Sequence, residues 1–157
     1  MLRELQTNTG KVYDTMNTAS VAMVVGMGVV KDYTKDNEVG FPAAATDKGV
    51  FFVTKEKRSE GIYAGLGEFS DYEDMFMNIK AGEGVKLVPP VKSERYATDQ
   101  VTVTTGSGDS AVTIAKGDYM ALGTDGKFTK STAATRFVYR GTKKIDTHDL
   151  HVIEVID

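Results

Sequence analysis

The chain has 157 residues, of which 41% are hydrophobic and 26% are charged, and its formal net charge is −3. These proportions are ordinary for a globular protein, so they argue against wholesale disorder. No part of the sequence carries the dense positive charge that sequence-independent nucleic-acid binding requires, so we expect no nucleic-acid partner. The absence of cysteine excludes disulfides and thiolate–zinc sites.

The first 20 residues are polar, and the apolar side chains among them follow no sustained helical or strand period. They also lack the apolar stretch of a secretion signal. Such a segment is either a frayed terminus or an extended arm that becomes ordered against a partner. For an arm, we expect the apolar side chains to make the partner contacts. These predicted contact residues are Leu2, Leu5, Tyr13 and Met16.

Short apolar runs separated by turn residues predict strands in the next part of the chain. The run Val21–Val30 is half as long as a membrane span, and Gly26 within it indicates a bend between two strands. We therefore expect no membrane partner. Val50–Thr54 follows Gly49, and its β-branched and aromatic residues favour a buried strand. Ile62–Leu66 is a weaker strand candidate.

Two interpretations compete for residues 70–88. Ser70 and Glu73 have the spacing of a capping box, which would begin a short helix. The residues Met75–Ile79 instead alternate as on one face of a strand, and a glycine-rich turn leads from them into Val85–Val88. We favour a hairpin, because sustained apolar alternation usually outweighs a single cap signal.

The sequence after Pro89-Pro90 has the clearest strand signals. Asp125-Gly126 predicts a hairpin with a type I′ turn, which requires positive φ at both central residues. Six short strands within this part describe a small barrel or sandwich. The predicted strands are Val101–Thr105, Ala111–Ala115, Asp118–Leu122, Lys127–Lys130, Arg136–Arg140 and Leu150–Ile156.

These signals together predict a mostly β protein. Proline cannot donate a backbone hydrogen bond, so Pro89-Pro90 marks the predicted boundary between two β-rich parts. We expect an N-terminal arm (1–20), a β-rich segment (21–91) and a C-terminal β-barrel or β-sandwich (92–157). The last strand is apolar on both faces, so either its own sandwich or another subunit of a homo-oligomer covers it.

No residue pattern predicts an active site, so we expect a protein that is not an enzyme and has no catalytic, cofactor or metal site. His148 and His151 would point to opposite faces of a strand, which defeats joint metal binding. The Gly-Ser-Gly at 106–108 lies between two strands and lacks the spacing of a nucleophile elbow. The acidic clusters at 32–38 and 71–74 do not match a calcium-binding loop.

The stretch AKGDYMALGTDGKFTKSTAATRFVYRGT, followed by DLHVIEVI, resembles the small head-decoration, or cement, proteins of tailed bacteriophages. The shared pattern is a hairpin that begins at Gly-Asp and turns at Asp-Gly, then a polar spacer, a strand and a closing strand. The earlier IKAGEGVKLV and ERYATDQV are similar in style to capsid-associated proteins that enter such a β domain. The likeness covers residues 75–157.

The resemblance implies a structural virion protein without an active site, made in the host cytoplasm and located on the capsid surface. Its partners would be the major capsid protein and further copies of itself, with a trimer expected. The alternative is a ligand-binding β module, such as a glycan- or receptor-binding head-fibre domain. Its aromatic side chains would then lie on exposed loops, and Ile62–Ser70 is the first place to expect them.

Overall fold

The computed structural model describes residues 1–7, 10–55, 77–106, 112–145 and 147–157. These residues form fifteen β-strands and no helix, which confirms the prediction of a mostly β protein. In chain order the strands are β1 (Leu2–Gln6), β2 (Asp14–Ala19), β3 (Met23–Val24), β4 (Gly28–Lys31), β5 (Glu38–Gly40), β6 (Val50–Lys55), β7 (Asn78–Ile79), β8 (Gly84–Val88), β9 (Arg95–Thr98), β10 (Thr104–Thr105), β11 (Val112–Thr113), β12 (Tyr119–Leu122), β13 (Phe128–Lys130), β14 (Phe137–Ile145) and β15 (His148–Val155).

Five strands close into a barrel in the order β2-β5-β4-β6-β8. The pair β2–β5 is parallel and the other neighbouring pairs are antiparallel. The predicted strand at 50–54 is confirmed as β6, which lies between β4 and β8. The closed barrel thus forms within residues 14–88, whereas the sequence suggested a barrel or sandwich after residue 92. Its apolar interior includes Val29, Val39, Val53, Val85 and Leu87.

Six strands form an antiparallel sheet in the order β1-β9-β15-β14-β12-β13. The strand β15 lies in its interior, and its own chain covers both of its apolar faces. Ile153 and Val155 belong to the largest apolar cluster, while Leu150 and Val152 pack with Ala97 in a separate cluster. Of the two alternatives that the sequence left open, burial of this strand within its own chain is therefore the one observed. Two short ribbons, β3–β7 and β10–β11, complete the described strands.

The barrel and the six-stranded sheet share one aromatic core. The ring of Phe52, on barrel strand β6, stacks on Tyr96 at 4.5 Å and on Phe128 at 5.1 Å between centroids. Phe137 meets Phe52 edge-on at 6.5 Å. The barrel strands all precede Pro89-Pro90, and every sheet strand except β1 follows it. Apart from β1, the proline pair therefore separates the barrel strands from the sheet strands along the sequence. The two parts are nevertheless joined in space, because their aromatic side chains pack in one core.

The prediction that residues 1–20 form an arm is wrong. The strand β1 is part of the six-stranded sheet, where Leu2 pairs with Thr98 of β9, and β2 is part of the barrel. A register shift between Glu4 and Gln6 interrupts the alternation of β1, and a similar shift occurs in β2. Such bulges hide the period-two pattern that marks a strand, which explains why the sequence showed no strand here.

The predicted hairpin between residues 75 and 88 is wrong in its pairing. The backbone N–H of Glu83 donates to the carbonyl oxygen of Lys80 at 3.1 Å, so a tight turn is present. However, β7 pairs with β3, while β8 pairs with β2 and β6. Alternation fixes the buried face of a strand but not its neighbour. Met75 and the capping-box residues of the helical alternative lie outside the described residues.

The hairpin at Asp125-Gly126 is confirmed, but its turn differs from the predicted type. Leu122 pairs with Phe128, and the N–H of Gly123 donates to the carbonyl oxygen of Lys127 at 2.8 Å. Gly126 has a φ of 77°, whereas Asp125 has no positive φ. This geometry matches a three-residue loop with glycine in the left-handed position, a common alternative to the type I′ turn.

Two predicted strands differ in length from those observed. The strand predicted to end at Arg140 continues to Ile145, because a bulge with Gly141 at a φ of 97° lets the chain bend and stay paired. The strand predicted at 101–105 is paired as a ladder only in β10. The loop after Gly106 lies in the part of the chain that is not described.

Candidate functional site

The structure separates the four predicted contact residues into two groups. Leu2 and Tyr13 pack against the largest apolar cluster, and Leu5 packs against the cluster around Leu150. Met16 remains 75% exposed. Three of the four side chains therefore have a packing site within the chain, and Met16 is the one that is left mostly in solvent.

A bulge in β2 turns Met16 outward. Asp14 pairs with Leu87 and Asn17 with Val85, so three steps along β2 match two steps along β8. The extra residue of a bulge changes the direction in which side chains point. The backbone N–H of Met16 donates to Asp14 Oδ1 at 3.2 Å, and Asp14 Oδ2 accepts a hydrogen bond from the Lys31 ammonium group. Local polar contacts thus hold the bulge.

Three strongly exposed side chains with large apolar parts lie beside this ion pair along the sequence. Val12 and Met16 are each two residues from Asp14, and Tyr33 is two residues from Lys31; their exposed fractions are 80%, 75% and 86%. Tyr33 lies in the turn between β4 and β5, and β5 neighbours β2 in the barrel. We call Val12, Met16 and Tyr33 the bulge patch. Grouped exposed apolar side chains are typical of contact surfaces.

A buried polar cluster lies where the chain passes between the sheet and the barrel. Lys11 Nζ is 2.9 Å from Glu94 Oε2 and 3.0 Å from Glu4 Oε2, and the side chains of Lys11 and Glu94 are 4% and 1% exposed. The Nζ atom also lies 4.6 Å from the centroid of the Tyr96 ring. Tyr13 donates its hydroxyl hydrogen to Glu4 Oε1 at 3.1 Å. We call Glu4, Lys11, Tyr13, Glu94 and Tyr96 the Lys11 cluster.

Three donors converge on one oxygen of Glu94. The backbone N–H of Val91 donates to Oε2 at 3.1 Å, and the Tyr96 hydroxyl and the Lys11 ammonium group donate to the same atom. Burial, together with the hydrogen bond to Glu94, raises the pKa of Tyr96 far above its ordinary value. The hydroxyl therefore remains protonated and stays a donor at every physiological pH.

Sequence reasoning missed the Lys11 cluster. Lys11 and Glu94 are separated by 83 positions, and Lys11 belongs to a segment that the sequence described as a polar arm. No local spacing marks these residues, because the fold alone brings the β1–β2 connection against β9. The sequence contains no signal that predicts this cluster, since a lone lysine in a polar segment is usually an ordinary surface residue.

The two histidines lie on one strand but do not form a site together. His148 is exposed at the start of β15, whereas Nδ1 of His151 lies 2.9 Å from the Tyr139 hydroxyl oxygen. Burial lowers the pKa of His151, which favours the neutral form of its ring. Within the described ranges, no group of three or more His, Asp or Glu side chains is arranged to hold a metal ion.

An open groove shares no lining residue with the bulge patch or the Lys11 cluster. Its volume is about 600 Å³. Tyr119, which is 38% exposed, contributes an aromatic ring, and the N–H of Arg136 donates to Asp47 Oδ2 at 3.2 Å at its edge. The lining residues are Asp47, Lys48, Tyr119, Ala134, Thr135, Arg136, Ile156 and Asp157. An aromatic ring beside planar polar groups suits a small polar ligand.

Comparison with protein-family models, curated proteins and solved structures finds no significant match to this chain. The described part of the chain contains no helix that is long and apolar enough to cross a membrane.

Proposed function

We propose that the chain is a decoration protein of a tailed-bacteriophage capsid, which binds the assembled shell and bridges neighbouring capsid subunits. The sequence resemblance of residues 75–157 supports the class of protein. The bulge patch is the structural observation that carries the proposal, because Val12, Met16 and Tyr33 are each at least 75% exposed and flank, in sequence, the ion pair between Asp14 and Lys31. Folded copies, with a trimer expected, would use this patch against the major capsid protein.

The physical mechanism of stabilisation is linkage. A protein that binds the assembled shell but not its separated subunits shifts the equilibrium towards the shell. Complete burial of a large apolar side chain contributes roughly 1.5–3 kcal/mol, so a three-residue patch gives a modest contact for a single copy. Repetition of this contact over symmetry-related positions makes the total effect on the shell large.

The proposal can be tested by co-sedimentation with shells that lack the protein. We expect the wild-type chain to pellet with assembled shells but not with dissociated capsid subunits. The double variant Val12→Asp and Met16→Asp should bind at least about tenfold more weakly, which corresponds to a loss of roughly 1.4 kcal/mol. The matched control is Val112→Asp on β11, which alters a side chain that is 46% exposed and lies outside the bulge patch.

Two results would contradict the proposal. One is unchanged shell binding by the double variant, provided that its circular dichroism spectrum matches the wild type. The other is the absence of this chain, or its presence in only a few copies, in purified virions analysed by mass spectrometry.

The second candidate function is glycan or receptor binding, and the groove at Tyr119 is the observation that favours it. Aromatic rings stack on the apolar faces of sugars, while Asp47 and Arg136 would accept and donate hydrogen bonds. The isolated protein would then bind on a glycan array, and Tyr119→Ala would abolish the signal. The aromatic segment at 62–70, expected from the sequence for this function, lies outside the described residues.

A further inference from the structure

We propose that Lys11 and Glu94 condense to form an intramolecular isopeptide bond, which ties the β1–β2 connection to the beginning of β9. The inference concerns the isolated chain and does not depend on the proposed capsid function. The amine nitrogen of Lys11 lies 2.9 Å from a carboxylate oxygen of Glu94, and both side chains are almost completely buried. Reacting groups held at such distances gain a large advantage over the same groups in solution.

The surroundings favour the neutral product over the separated ions. Two charges removed from water carry a desolvation cost, which an amide does not have. The rings of Tyr96 and Tyr13 lie 4.6 Å and 5.7 Å from Lys11 Nζ, so aromatic surface replaces water around the amine. In the proposed reaction one ammonium proton passes to a carboxylate, which leaves a nucleophilic amine beside the carboxyl group of Glu94.

Glu4 is placed to move the proton. Its Oε2 atom lies 3.0 Å from Lys11 Nζ, within reach for general acid–base chemistry. The amine lone pair attacks Cδ of Glu94 and forms the C–N bond. One C–O bond of Glu94 then breaks, and that oxygen leaves as water with two of the three ammonium hydrogens. The ammonium and carboxylate ions become one amide and one water, so atoms and charge balance without a further reagent.

The donors on Glu94 Oε2 fit the same reaction. The Val91 N–H, at 3.1 Å, and the Tyr96 hydroxyl point at the oxygen that would carry negative charge in the tetrahedral intermediate. This arrangement corresponds to an oxyanion hole, in which fixed donors stabilise charge as it develops. The amide carbonyl oxygen would keep both donors after the bond has formed. The reaction therefore keeps these two hydrogen bonds and replaces the one from the Lys11 ammonium group by a covalent bond.

The bond would close a loop between positions that are 83 residues apart. A covalent closure of this kind lowers the conformational entropy of the unfolded chain and hence favours the folded state. It would also hold β1 and β2 in the fold when the chain is pulled or heated.

Intact mass spectrometry of the purified full-length protein tests the proposal. We expect the wild-type mass to be lower than the sequence mass by one water. Trypsin should then fail to cleave after Lys11, and the digest should contain a branched peptide that joins Lys11 to Glu94. The variant Lys11→Arg keeps the positive charge but removes the nucleophilic amine, so it should show the full sequence mass.

Glu4→Gln provides a second variant, because it removes the proton carrier while retaining the electrophile. We expect this variant to remain wholly or mostly at the full mass, with a wild-type circular dichroism spectrum. A folded wild-type protein that keeps its full mass after prolonged incubation would overturn the proposal. So would a water loss that persists in Lys11→Arg, because the missing water would then come from another site.

Discussion

Replacement of Phe52 by alanine should destabilise the barrel and the sheet together. The Phe52 side chain is fully buried and stacks on Tyr96 and Phe128, with Phe137 meeting it edge-on. Phenylalanine-to-alanine changes in cores cost about 3–5 kcal/mol. Aromatic pairs add about 0.5–1.5 kcal/mol each beyond their buried area. We therefore expect a loss of stability near the upper end of the range of about 3–5 kcal/mol.

For a chain of this size, each kcal/mol lowers the melting temperature by roughly 2–4 °C, so the expected decrease is about 8–20 °C. Chemical denaturation followed in parallel by far-UV circular dichroism and tyrosine fluorescence measures both the free energy of unfolding and its cooperativity. The two probes should give coincident transitions, because one aromatic core links both sheets. The matched control is Phe51→Ala, which removes the neighbouring, partly exposed ring of the same strand and should cost clearly less.

A Phe52→Ala variant within about 1 kcal/mol of the wild type would refute this reasoning, since burial and ring stacking would then contribute far less than usual. Two separate transitions in the wild-type protein would also refute it, because the halves on either side of the proline pair would then unfold independently.

Three further predictions follow from local features. Gly126→Ala should lower the free energy of unfolding, measured by urea denaturation, by roughly 1–3 kcal/mol. The glycine has a φ of 77°, and an added Cβ would lie 2.4 Å from Phe41 Cε1. An unchanged free energy of unfolding would contradict the turn geometry. Burial lowers the pKa of His151, so the unfolded state binds the proton more readily and stability should fall as the pH drops below about 6.5. His151→Gln should reduce that fall, and an unchanged pH profile would rule out this cause. The hydrogen bond from Lys31 lowers the pKa of Asp14 in the folded state. The stability that this ion pair contributes is therefore present above the ordinary aspartate pKa. It is lost as the pH falls through the lower pKa of the folded state. Because the pair is partly exposed, Asp14→Asn should cost less than about 1 kcal/mol at pH 7 and still less at pH 2. A larger loss at pH 2 than at pH 7 would reverse the assigned sign.

The sequence was informative wherever the cause of a structure is local. The β-branched and aromatic residues of 50–54 predicted β6, and Asp125-Gly126 predicted the β12–β13 hairpin. The strand position of His151 was also predictable, because the β-branched residues along 150–156 mark a strand without any knowledge of its neighbours, although the observed strand begins earlier, at His148. These features depend on residues close together in the chain, and their propensities agree with the final fold.

Sequence reasoning failed where bulges or pairing partners decide the outcome. The register shifts in β1 and β2 break the alternation that identifies a strand, so two paired strands were interpreted as an arm. The turn near residue 82 was anticipated, but its two strands enter different sheets. Of the predicted contact residues, Met16 stays exposed because a bulge turns it outward, whereas Leu2, Leu5 and Tyr13 find packing sites that only the folded chain provides.

The amino-acid sequence by itself determined that this protein is built from β-strands, because alternation, β-branching and glycine turns act over a few neighbouring residues. Tertiary structure alone decided which strands pair, which apolar side chains remain in solvent, and that Lys11 meets Glu94 in a buried cluster. Those outcomes depend on contacts between residues far apart in the chain. Local propensity depends only on neighbouring residues, so it carries no information about such contacts.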